Sequence, residues 1–116
     1  MTARLFAYGF RPFFLGVGVS AMVLVPMWVA NFSFGLPLGT GSPPMLWHAH
    51  EMLFGFGCAA IAGFLLTAVP SWTRQKGFAG GPLILMSGLW LLGRLLVGSS
   101  ASWPFAVVVA ADLAFL

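Results

Sequence analysis

Trp47-His48-Ala49-His50-Glu51-Met52 gathers both histidines of the chain and one of its two acidic residues at the head of a long apolar run. Neutral imidazole suits haem iron, copper and zinc, and a thioether such as Met52 favours copper(I). Glu51 can ligate a metal, orient a histidine through its free N–H, or move a proton. An ionisable group at the centre of a membrane helix costs about 2.5–3.5 kcal/mol, so such a cluster implies a use. The competing reading sets Trp47 and His48 at headgroup level, where amphipathic rings are common, with Glu51 reaching out to water.

Helical spacing separates the two histidines. With 3.6 residues per turn, His48, Met52, Gly55, Ala59 and Gly63 share one stripe, while His50, Leu53, Gly57, Ile61 and Phe64 fall near the other side. The first stripe is small below its polar head, which lets another helix or a flat ligand approach closely. His48, with Glu51 at i+3 and Met52 at i+4, is therefore expected to face the interior. An ideal helix does not offer both histidines to one metal ion. Two separate sites, or one ligand and one supporting histidine, fit the spacing better.

Two further charges lie inside apolar segments. Arg94 is about 18 Å into its segment, counting 1.5 Å per residue from Pro82, and Glu51 comes to a similar level from the other end. Pairing them relieves two desolvated charges at once; Arg94 could instead hold a haem propionate or another anion, or reach outward to water. Asp112 is expected to relay protons or to meet a cation on a helix beyond this chain. Cys58, the single cysteine, reads as a small packing residue and excludes an internal disulfide or a Cys-x-x-Cys knuckle.

The elements that must position these groups follow from composition. Of the 116 residues 60% are hydrophobic and only 6% charged, against roughly a quarter charged in soluble domains. The side chains must face lipid or one another. The expected fold is all-α, a polytopic transmembrane bundle of three full spans at about 13–34, 45–69 and 82–97 and a short fourth at 103–116, each full span near the roughly 20 residues that cross a bilayer. Pro26 is expected to kink the first span. Ser42 is expected to cap the second with proline in its first turn, and Pro70 to end it. The short fourth segment suggests an N-terminal part of a longer helical domain, whose partners are the lipid bilayer and further helices or subunits.

The net charge of +3 comes from Arg4, Arg11, Arg74, Lys76 and Arg94, spread between apolar runs and not gathered into a nucleic-acid-binding patch. Arg4 and Arg11 precede the first span and Arg74 and Lys76 follow the second, so the positive-inside rule puts the N-terminus in the cytoplasm and the histidines toward the outer face. A signal peptide is the competing reading, but no Ala-x-Ala-like cleavage site follows the first run.

Four stretches together resemble the NnrS family of bacterial membrane proteins: Gly9-Phe10-Arg11-Pro12-Phe13-Phe14; Trp47 through Phe56; Ala62-Gly63-Phe64-Leu65-Leu66-Thr67-Ala68-Val69-Pro70; and Leu91-Leu92-Gly93-Arg94-Leu95. The resemblance implies a polytopic protein of the bacterial inner membrane that contains haem and copper. It also implies a link to denitrification and to tolerance of nitric oxide and nitrosative stress, with nitric oxide a possible partner. By that implication His48, His50 and Glu51 are the candidates for ligating or supporting the metals, with Met52 beside them, and Arg11 and Arg94 hold position or anchor an anion. Two other function classes compete. In one, a transporter or channel subunit, Glu51, Arg94 and Asp112 line a polar path while the histidines titrate. In the other, a scaffold, the glycine-rich spans only pack against partners.

Overall fold

The computed structural model describes residues 2–116. After a helical turn at Thr2–Leu5, four helices follow: α1 (Phe10–Phe34), α2 (Pro44–Thr73), α3 (Gly81–Gly98) and α4 (Phe105–Leu113). The first three are each long and apolar enough to cross a membrane. The shortest of them, with 18 residues, reaches about 27 Å at 1.5 Å per residue. The chain is all-helical, as composition requires: the helix satisfies its own backbone polar groups where no water is at hand.

Helix boundaries differ from the sequence expectation where proline was read as punctuation. Pro70 does not end α2, which continues to Thr73 and stops at Arg74 in a left-handed conformation (φ 55°). Near a helix end a proline removes one i→i−4 bond only, and the turn that follows it still forms. Ser42 does not cap α2 either. Pro43 occupies that position and Pro44 opens the helix, while the Ser42 N–H donates to Thr40 Oγ1 at 2.9 Å. Helix α1 begins at Phe10, with Pro12 in its first turn, and runs past Pro26 to Gly35, whose φ of 67° closes it.

Backbone contacts sort the connections to two ends. The Gly80 N–H donates to the Phe6 carbonyl at 2.9 Å, joining the α2–α3 loop to the N-terminal segment. At the opposite end the Gly41 N–H donates to Ser100 Oγ at 2.9 Å, tying the α1–α2 loop to the short turn before α4. Helix α1 packs on α2 and α3 on α4. Phe13, Ala59 and Leu83 form the buried centre, with Trp90 and Phe115 against it. Close approach depends on missing side chains. A Cβ at Gly63 would stand 2.9 Å from the Phe14 ring, and one at Gly16 would stand 3.0 Å from Trp90.

Between Glu51 and Gly57, α2 winds as a π-helix. The buried positions of α2 are consequently Trp47, Glu51, Gly55, Ala59 and Gly63, one every four residues. A regular α-helix would rotate such a stripe by about 40° at each step; the wider π turn takes out part of that rotation. The head of the buried stripe is thus Trp47 and Glu51, not His48 and Met52. The expected lower half, Gly55, Ala59 and Gly63, stands unchanged.

Candidate functional site: a charged network between the spans

Glu51, Arg94 and Asp112 come from three different helices and are all nearly withdrawn from solvent, with side-chain exposures of 1%, 9% and 8%. Arg94 pairs with Asp112 through Nη2 and Oδ1, and its Nη1 lies 3.4 Å from Glu51 Oε1. His50 bridges the two carboxylates: its Nδ1 is 3.1 Å from Glu51 Oε1 and its Nε2 is 2.8 Å from Asp112 Oδ2. Two carboxylates, one guanidinium and one imidazole thus form a single network. Its charges offset one another within a medium that would penalise any of them alone.

Local structure explains how the four meet. Gly55 sits one turn below Glu51, where a Cβ would lie 3.2 Å from both Arg94 Nη1 and Glu51 Oε2; Gly93 does the same for α4, where a Cβ would lie 3.3 Å from Asp112 Cα. Each glycine leaves the width of a side chain for an ion pair. The Trp90 indole N–H donates to the Gly55 carbonyl at 3.1 Å, supplying a partner inside the π segment, where the ordinary helical bonding is altered. His50 stacks on Phe54 with ring centroids 4.7 Å apart.

His48 lies apart from this network. Its ring stacks on Trp28 of α1, with centroids 4.3 Å apart and planes 20° from parallel. Its Nδ1 is buried with no hydrogen-bond partner among the described residues. The two histidines therefore occupy separate surroundings, as the spacing predicts. The Glu51–Arg94 pair is present, and the partner of Asp112 is Arg94 of this same chain, not a cation beyond it. Sequence reasoning missed Trp28 and Trp90. Trp90 stands four residues before Arg94, a spacing that places both on one face of α3 and was the available signal. Met52 is partly buried in the π segment, and Cys58 is a partly buried free thiol.

Three apolar spans, with two carboxylates and one guanidinium withdrawn between them and His50 at the edge of the network, define a multi-pass helical membrane protein. The chain belongs to the NnrS family: the family model, NnrS protein, matches residues 4–116. Comparison with curated proteins and with solved structures gives no match.

The metals that the resemblance implies would need a matching set of donors. Among the described residues, no three His, Cys, Asp or Glu side chains converge as a metal-binding group. His50 already has a carboxylate oxygen at each ring nitrogen, so ligation there must displace one. His48 differs: its buried Nδ1 has no hydrogen-bond partner among the described residues, so a bond to it would displace nothing. The residues fit one imidazole contribution to a haem or copper site, not a closed site of their own.

Proposed function

We propose that this chain is a haem- and copper-binding membrane protein of the nitric oxide response, linked to denitrification, in the bacterial inner membrane with its N-terminus cytoplasmic. His48 is the ligand-bearing residue, and the observation that carries the reading is its buried, unpartnered Nδ1 on a ring held by Trp28. A bound haem or copper would supply a redox-active centre able to take up nitric oxide. The chain's own contribution is to hold the imidazole in one orientation, keep water away from it, and brace the helix below it through Glu51, Arg94, Asp112 and His50. Of the residues near it, Met52 is a soft donor one helical turn further on, and Arg94 is the cation that could meet a propionate.

The test is an optical spectrum with iron and copper analysis on the purified protein, as wild type, His48→Ala and His50→Ala. A haem band or copper content lost from His48→Ala and kept in His50→Ala supports the assignment. A colourless, metal-free wild type overturns it.

A second reading has its own observation. The network lies between two cavities, one of about 390 Å³ lined by His50 and Asp112 and one of about 460 Å³ lined by Glu51 and Arg94. That placement suits a transporter or channel subunit in which these groups line a polar path. Ion flux in liposomes made with metal-free protein, abolished by Glu51→Gln, would favour it.

A further inference from the structure

The larger cavity lies between α1, α2 and α3, and its walls are mostly apolar, with Ser20, Ser99 and one charged corner as the polar part of the lining. Val19, Val23, Met27, Leu91 and Leu95 line it, and each is substantially exposed, so the opening is toward lipid and not toward water. The corner is made by Trp47, Glu51 and Arg94, whose exposures are 3%, 1% and 9%. All three carry polar atoms without a hydrogen-bond partner among the described residues: Trp47 Nε1, Glu51 Oε2, Arg94 Nε, and Arg94 Nη1, which has only its 3.4 Å ion-pair contact with Glu51 Oε1. A buried polar group left unpaired is costly, and native structures rarely retain several side by side. The neighbouring Trp90 indole is not among them, since its N–H is already engaged by Gly55.

We infer that this cavity binds an uncharged, carbonyl-bearing ring compound of the lipid phase, a quinone, with its carbonyl accepting from Trp47 and Arg94. Three features select that chemistry. The unpaired atoms are mostly N–H donors, so the occupant must offer an acceptor oxygen. The network holds two carboxylates against one guanidinium, so it has no surplus positive charge for an anionic head such as a fatty acid or a phosphate. Two indoles, Trp47 and Trp90, line a space of about 460 Å³, within the range of small-molecule sites and suited to a flat ring. Glu51 Oε2 would accept from the hydroxyl of the reduced form. The site is separate from His48, which does not line it.

The experiment is saturation binding of decylubiquinone to the full protein in lipid nanodiscs, by equilibrium dialysis with quantitation of bound quinone and phospholipid. Wild type, Trp47→Phe, Val23→Trp and Leu95→Trp are compared. Saturable binding near one per chain, weakened about tenfold by loss of the indole donor and abolished by the two rim variants that fill the cavity from its exposed edge, is the expected result. Absence of saturable binding overturns the proposal, as does binding equal in all four proteins, which is partition into lipid. A phospholipid retained in the cavity that quinone does not displace overturns it as well. The rim variants alter exposed side chains, so they report even if Trp47→Phe fails to fold, and no outcome depends on metal content.

Discussion

Arg94 and Asp112 stand 18 residues apart on α3 and α4 and close on each other as a buried ion pair. Gly93, the residue before Arg94, makes this possible, because any side chain there would press on the backbone of Asp112. The same arginine reaches Glu51 on α2, so one guanidinium ties three helices together. Removing it leaves the two carboxylates without their guanidinium counter-charge.

Arg94→Met is therefore expected to destabilise the fold by about 3–5 kcal/mol, the usual cost of breaking one side of a buried pair. The double variant Arg94→Met with Asp112→Leu should recover part of that loss, since it removes charge from both sides. Thermal unfolding in one detergent, compared across the single and double variants, measures both.

Glycine positions make a sharper contrast. Gly55→Ala puts a methyl against Arg94 and Glu51 and is expected to cost about 1–3 kcal/mol. Gly18→Ala, also within a span but with open space around it, is expected to be neutral or to stabilise by up to about 1 kcal/mol through helix propensity. Equal unfolding temperatures for the two variants would show that the close approach at Gly55 is not needed.

Helix packing can be probed the same way. Gly63→Leu meets the ring of Phe14 and the Cβ of Phe13 and is expected to separate α1 from α2, seen as aggregation or loss of the monodisperse peak on size exclusion. Gly88→Leu points into open space on α3 and should elute as wild type.

Trp90→Phe keeps the ring but loses the bond to the Gly55 carbonyl. The expected loss is about 0.5–1.5 kcal/mol, the net worth of one hydrogen bond. Faster hydrogen exchange should appear in the π segment, Glu51–Gly57, ahead of the flanking α-helical turns.

Much of this protein was legible in its residues. The apolar runs dictated helices and their number, because in lipid a chain must satisfy its own backbone. The rarity of charge singled out Glu51, Arg94 and Asp112, because each must be matched or removed from lipid. Spacing separated His48 from His50. Tertiary structure decided who meets whom. Only the packing of α4 against α3 made Asp112 the partner of Arg94, and only the π segment brought Glu51 and Trp47, not His48 and Met52, to the buried face. Both outcomes have one physical cause: ridges and gaps on neighbouring helices set the winding and register that lets charges pair, and a single helix's periodicity carries no record of its neighbours.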